Sequence, residues 1–340
     1  MIKIAHLHVW DKKNKGDYAI VLAVQELLKK QFPECKITDF PINLLKDGKL
    51  SDAKKINQNN FVIIGGGGIF YSYFLPYNQE FIKAISIPMA IFGAGYIKEI
   101  DAPELSLAAA TSVAYLAKQA KFVGVRDNNT KKFLVKYGVK TNKIEVVGDP
   151  AALLSETKPA KLIINNKKTS LKIGLNLNYS GWLGFGKWHN DILKAYREVA
   201  EYFQKNYDAQ IYYLKHHPGE NKIYPELKIK NLKLVDLKPV EQKYIYGELD
   251  LIVGMMLHVG VMAFGAGTPE ISVAYDLRNH SFAEFIGHKE LVVDLPTLKS
   301  GELLKRVKML YAKKEKYQKE FLKIKEEIKN KQIKFLSKLS

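Results

Sequence analysis

The stretch from Leu249 to Ile286, LDLIVGMMLHVGVMAFGAGTPEISVAYDLRNHSFAEFI, most restricts what this chain can fold into. It reads as a strand from Asp250 to Gly254, a turn carrying His258, a helix of small residues to Gly265, and a second strand from Glu270 to Tyr275. That second strand is expected to empty into a polar loop, DLRNHSF, bearing Arg278. A strand, a helix and a further strand in close succession make a βαβ unit, which implies a parallel sheet. Ligands of such open sheets bind beyond the carboxyl ends of the strands. His258 and Arg278 both fall there, so the rest of the chain must supply the facing wall.

The first half repeats the pattern. IKIAHLHV (Ile2 to Val9) is a continuous apolar-aromatic run, as expected of a strand buried on both faces. Asn14, Gly16 and Asp17 then precede a helix with apolar residues at Ile20, Val24, Leu27 and Leu28, with Asp17 the expected N-cap. A strand, a polar glycine-containing loop and a helix start form a generic anion or sugar site, although capping alone also accounts for these residues. FVIIGGGG (Phe61 to Gly68) places four glycines at a strand end. Each costs about 0.5–1 kcal/mol in an ordered element, so positive φ angles or close approach by a ligand or another backbone is expected at Gly66 and Gly67. No Lys-Ser/Thr pair follows, so this is no P-loop, and the spacing is not that of a dinucleotide fingerprint. The aromatic loop YSYFLPYNQEF after it could form a lid. A strand from Phe122 to Val125 delivers Arg126 and Asp127, with Asn129 or Thr130 available as the next cap. KIEVVGDPAALL closes the series as a strand and a helix capped by Asp149 with Pro150 first.

Residues 155–170, polar and lysine-rich, read as a linker, and LKIGLNLNYSGWLGFGKWHN begins a second α/β series whose first strand ends at Asn178 and Gly181. His216 and His217 stand at a later strand end. Neighbours on a strand point to opposite faces, so at most one of them, His217 in our assignment, faces a given site, and no metal ligand pair results. The sequence thus divides into an N-terminal Rossmann-like domain (1–158), a second (170–301), and a basic C-terminal segment (302–340). That last segment keeps apolar residues at helical spacing from Val307 to Phe335 and reads as one long amphipathic helix.

The formal charge of +18 suits anionic partners, and the C-terminal segment, with 13 Lys or Arg against 5 acids, carries +8 of it. Its helix either packs across the back of both domains with its lysines solvated, the favoured reading, or holds the anionic inner face of a membrane. No nucleic-acid module is present, so no specific nucleic-acid partner is expected. One cysteine, a charged N-terminus and no apolar span of membrane length lead to the expectation of a cytoplasmic protein, at most peripheral to the inner membrane face. No metal or bound cofactor is expected, and nothing in the sequence specifies an oligomeric state.

Six pieces in order (NKGD, IIGGGG, FGAG, GVRD, VVGDPAALL and GMMLHVGVMAFGAGTPEISVAYDLRNHSFAEFIG) resemble the polysaccharide pyruvyl transferase family and span most of the chain. Met256 stands where that family usually has Arg, and Arg278 about where it has Lys, so the resemblance is to a divergent member. It implies two Rossmann-like domains facing across a cleft, as in GT-B glycosyltransferases. The implied reaction moves pyruvate from phosphoenolpyruvate, a donor substrate, onto a sugar of a cell-surface polysaccharide or its lipid-linked precursor as a ketal. With a small anionic donor, His258 is the expected acid/base or phosphate-facing group. Arg126 and Arg278 are expected to bind donor phosphate or carboxylate, Asn14 and Asp17 acceptor hydroxyls. For His258 the competing role is structural capping, and for Arg126 a salt bridge with Asp127 or a neighbouring acid. A GT-B glycosyltransferase using a nucleotide sugar is the alternative; Glu270 and Asp276 are its candidate ribose ligands. A non-catalytic basic binding protein ranks third.

Overall fold

A computed structural model describes residues 1–100, 102–161, 164, 170–178 and 186–339. Gly181, its aromatic-glycine loop and most of the second part of the expected linker lie outside these. Among the described residues the strands form two sheets. The first holds β1 (Lys3–His8), β2 (Lys36–Pro41), β3 (Phe61–Ile64), β4 (Gly67–Phe70), β5 (Met89–Tyr96), β6 (Phe122–Val125) and β7 (Ile144–Val146). The second holds β8 (Lys172–Leu175), β9 (Gln210–Leu214), β10 (Lys233–Val235), β11 (Leu251–Gly254), β12 (Glu270–Ala274) and β13 (Val292–Asp294).

Strand pairing is parallel in both sheets. The orders are β2-β1-β3-β5-β6-β7, with β4 added beside β5, and β10-β9-β8-β11-β12-β13. Each order reverses once, between β1 and β3 in the first sheet and between β8 and β11 in the second. These switch points are where a doubly wound sheet opens a crevice, because neighbouring crossovers leave in opposite directions. The segments after β1, β4, β5, β8, β11 and β12 all contribute to one cavity between the sheets. Two Rossmann-like sheets facing across a cleft with a helical C-terminus is the architecture expected from the sequence.

Several local expectations are corrected. Asn14, not Asp17, caps the Lys15–Gln31 helix: its side chain accepts from the N–H groups of Gly16 and Asp17, at 3.1 and 3.4 Å. Asp17 therefore sits in the first turn with its carboxylate released. DLRNHSF is not a loop. Asp276 accepts from the Arg278 N–H at 2.7 Å and starts a helix over Leu277–Phe285. Asp127, rather than Asn129 or Thr130, caps the Asn128–Lys136 helix. After Asp149 the chain makes only a 3-10 turn, Pro150–Leu153.

The C-terminal segment breaks at Lys313 into helices Glu302–Ala312 and Lys314–Leu336. Tyr317, Phe321, Ile328 and Phe335 are buried. Phe321 packs on Phe264 of the second half, while Phe335 stacks on Phe92 of the first, ring centroids 5.5 Å apart. Gly124 makes room for Phe335; a Cβ there would meet its ring at 3.0 Å. The apolar stripe is thus consumed in clamping the two halves together, which leaves lysines on the outer face. No helix among the described residues is long and apolar enough to cross a membrane.

Lys15 completes the junction. Its N–H donates to the His216 carbonyl at 3.0 Å, and its Nζ to the Lys215 carbonyl, Asp236 and Gln242 at 2.7, 2.7 and 2.9 Å. A buried ammonium is tolerable only with such partners.

Candidate active site

The cavity between the switch points has a volume of about 450 Å³. The first half contributes Trp10, Asp11, Asn14 and Asp17 after β1, Gly68 and Tyr71 in and beyond β4, and Ile97 and Glu99 beyond β5. The second half contributes Asn178, Met256, Leu257, His258, Tyr275 and Arg278. Of the residues expected from the sequence, His258, Arg278, Asn14 and Asp17 are brought together here.

His258 lies in the first turn of the Leu257–Ala266 helix, whose N-cap, Met256, makes no side-chain cap. The Val259 N–H turns back to the Met256 carbonyl at 2.9 Å, so the Leu257 and His258 amides are the ones this helix start can offer an anion. The imidazole is pressed against the opposite half. A Cβ on Gly16 would fall 2.3 Å from His258 Nδ1, so glycine between Asn14 and Asp17 is what lets the ring approach. On its other side, His258 Nε2 lies 3.6 Å from Asp149 Oδ2. Both atoms are buried and without a hydrogen bond at this separation. Burial pushes the Asp149 carboxyl up, but His258 and Arg126 outweigh it and hold the group below its ordinary value. Asp149 is therefore a carboxylate standing behind a histidine, 3.6 Å from its Nε2.

Arg126 does not reach the cavity. It is buried, with Nε 3.3 Å from Asp127 and Nη1 3.6 Å from Asp149 Oδ2. Gly95 covers its guanidinium so closely that a Cβ would lie 2.4 Å from Nη2. The salt-bridge reading describes its contacts, and it touches His258 only through Asp149. Arg278 is the cation that does line the cavity. Its Nε donates to Asp276 at 2.6 Å and its Nη2 to the Tyr275 hydroxyl at 2.8 Å. Burial works against its charge, and Asp276 more than restores it. Across from it, burial raises the Asp17 carboxyl above its ordinary value, although His258 and Arg278 pull the other way. Asp17 thus holds a proton more readily than a free aspartate.

Gly66 and Gly67 do not line the cavity. A Cβ on Gly66 would meet Ile20 Cγ2 at 2.7 Å, and Gly67 has φ +84 with Ile20 Cδ1 2.9 Å from its Cβ position. The glycine run thus answers to close packing by the first helix, and only Gly68 borders the open space. His217 is likewise elsewhere: its Nδ1 accepts from the Gly219 N–H at 3.0 Å and caps a 3-10 turn. β9 ends at Leu214, so strand alternation no longer governs it. The expectation missed Asp149 as the partner of His258; the pair is separated by more than 100 positions and no local pattern links them. It also missed Asp11, Glu99, Tyr71 and Tyr275. Tyr71 donates to Glu99 at 2.5 Å on the cavity wall.

The polysaccharide pyruvyl transferase family model matches residues 14–276. No curated protein matches the sequence. Among solved structures, Anabaena Alr3699/HepE in complex with UDP and glucose is similar at TM-score 0.61 and 11% identity, covering 100% of this chain and 99% of its own. The S. aureus MnaA-UDP co-structure is similar at TM-score 0.61 and 13% identity, over 94% and 91% of the two chains. The Methanocaldococcus jannaschii UDP-GlcNAc 2-epimerase in complex with UDP-GlcNAc and UDP follows at 0.57 and 15%, over 92% and 93%. At these identities the likeness shows the fold alone, two α/β halves about a cleft. The sequence match, which runs from the Asn14 cap to the Asp276 cap and so encloses His258, Asp149 and Asp17, makes this chain a member of the polysaccharide pyruvyl transferase family.

Proposed function

We propose that the chain transfers the pyruvyl group of phosphoenolpyruvate to a sugar, forming a ketal and releasing phosphate. The observation that carries this reading is His258, backed by Asp149, at an open helix N-terminus facing Asp17 and flanked by Arg278. A donor with a phosphate and a carboxylate needs two anion seats. The open end of the Leu257–Ala266 helix supplies one and Arg278 the other. In the reaction C3 gains a proton, a sugar hydroxyl adds to C2 and gives up its own, and phosphate departs. A second hydroxyl of the same sugar then closes the ketal, and its proton leaves with the departing phosphate. Asp17, whose carboxyl favours its proton, is placed to protonate C3, and His258 to accept the hydroxyl proton with Asp149 stabilising the imidazolium. Asn14, Asp11 and Glu99 offer acceptors and donors to the sugar from the first half. Arg126 acts through Asp149 as a positioning residue.

Incubation with phosphoenolpyruvate and a panel of glycans should release phosphate and give a ketal, with His258→Gln losing both. Absence of binding and of phosphate release across a broad panel overturns the reading. The nucleotide-sugar alternative has less support. Glu270 is buried beside Gly254 and Gly260 away from the cavity, and Asp276 is committed to Arg278. Among the described residues the second half presents no carboxylate to the cavity. Thermal stabilisation by UDP-sugars but not by phosphoenolpyruvate would reverse this preference.

A further inference from the structure

Behind the cavity, on the face of the first sheet covered by the Lys15–Gln31 helix, His6 and His8 project from β1 on one side and Asp39 from β2. The β1–β2 register pairs His6 directly with Asp39. One nitrogen of each ring and one carboxylate oxygen lie mutually within 4.8 Å. The two rings are 4.6 Å apart between centroids.

Hydrogen-bond accounting at this cluster does not close with protein groups alone. His6 Nε2 lies 2.6 Å from the Gly65 carbonyl, an acceptor, so the proton of the ring is on Nε2. Nδ1 then keeps its lone pair, fully buried and without a partner. His8 faces acceptors on both sides: Val9 O at 3.0 Å from Nδ1 and Asp39 Oδ1 at 3.0 Å from Nε2. A neutral imidazole has one N–H and cannot serve both. With the His8 N–H on Nδ1 facing Val9 O, a cation between the His8 Nε2 lone pair, the His6 lone pair and the Asp39 carboxylate uses all three together.

We propose that His6, His8 and Asp39 bind a divalent transition-metal ion of the zinc class, a site distinct from the transfer cavity. Two neutral imidazoles and one carboxylate are a ligand set suited to such an ion, with bonds near 2.0–2.2 Å. These separations require the side chains to close by roughly 1 Å, a rotation about χ rather than a backbone change. The Gly65 carbonyl on His6 is the outer-shell partner that fixes the coordinating tautomer, and Gln25, donating to Asp39 at 2.6 Å, orients the carboxylate. A cavity of about 130 Å³ lined by His8, Asp39 and Gln25 gives an ion access. The ion would tie β1 to β2 immediately before the Trp10–Asp11 loop that walls the larger cavity.

The test uses the untagged full chain, stripped with chelator and titrated with Co²⁺, then Zn²⁺. One Co²⁺ per chain, visible d–d bands of a low-coordinate site, and displacement by one Zn²⁺ are expected. Asp39→Asn, at an exposed position, and His8→Gln should each weaken binding by at least about tenfold. His280→Gln, in a pair with Asp294 elsewhere, should leave it unchanged. Circular dichroism of the metal-free variants separates loss of the site from loss of fold. No stoichiometric binding, or binding indifferent to Asp39→Asn and His8→Gln in folded protein, overturns the proposal. The readout is independent of pyruvyl transfer.

Discussion

Gly16→Ala is the sharpest probe of the catalytic arrangement, because it adds one methyl group at the seam between the halves. The new Cβ would stand 2.3 Å from His258 Nδ1 and 2.7 Å from Cγ. Ordinary contact begins at 3.4 Å, so the ring must retreat by about 1.1 Å or the halves must part by as much. Gly16 lies within the first turn of a helix and is absent from the positive-φ positions, so alanine suits its backbone and gains up to about 1 kcal/mol of helix propensity. Crowding against His258 opposes that gain, and the melting temperature reports the balance. Activity should fall regardless. A displacement of about 1 Å at a positioned group costs on the order of 10²-fold in rate. The assay is phosphate release from phosphoenolpyruvate with an accepted sugar, run beside thermal melting. A folded Gly16→Ala protein with activity within about twofold of the parent would refute the placement of His258 as the reacting base.

Asp149→Asn removes the carboxylate behind His258 and should lower kcat by at least about 10²-fold with little change in KM, read from steady-state kinetics. Arg126→Met leaves Asp149 and Asp127 buried beside a neutral side chain and should destabilise the fold by about 3–5 kcal/mol in urea denaturation, a loss too large for a surface cation. Met256→Arg puts a cation on the cavity wall, at the position where the resemblance to the family led us to expect arginine. It should tighten phosphoenolpyruvate about tenfold or more by calorimetry, the worth of one charge-assisted hydrogen bond. Lys243 is buried and donates to the Ala152 and Leu154 carbonyls at 2.9 and 2.6 Å, and burial pulls its pKa from 10.5 to about 7. The unfolded chain therefore binds one more proton between those values, so this group makes stability rise as pH increases from about 7 towards 10.5. Lys243→Met should flatten that slope in pH-dependent melting.

Periodicity made the strands legible because buried parallel strands are continuous apolar runs, and β6 was found to the residue. Side-chain direction at strand ends was not legible. Arg126 follows β6 just as Arg278 follows β12, yet Arg126 turns inward because Asp127 and Asp149 both lie within the sheet's end, while Arg278 is held at the cavity by Asp276 and Tyr275. Pairs distant in sequence decide such cases. Capping was ambiguous for a related reason: Asn14, Asp17, Asp127, Asn129 and Thr130 are all good caps, and the apolar pattern alone does not choose among neighbours. The glycine run has the expected positive φ at Gly65 and Gly67 and the expected close backbone at Gly66, where Gly93 O would lie 3.2 Å from a Cβ, but Ile20 takes the space that a ligand was expected to use. A side chain from another element is invisible in a local pattern.

The distribution of charge about the cavity bears on how two substrates would share it. Asp11, Asp17 and Glu99 come from the first half, whereas His258, Arg278 and the open helix end come from the second. Arg278 is already balanced by Asp276, so the cavity as a whole is not a strong anion sink despite the chain's +18. An anionic donor is therefore drawn to one wall and repelled from the other, which leaves the acidic wall to neutral hydroxyls. In the proposed reaction that polarity sets the orientation: donor against the His258 wall, sugar against Asn14 and Asp11, with the reacting carbon between His258 and Asp17. At Met256 the helix dipole supplies part of what an arginine there would give. A donor with more negative charge than one small phosphorylated acid would be disfavoured by Asp11 and Glu99 on the wall opposite.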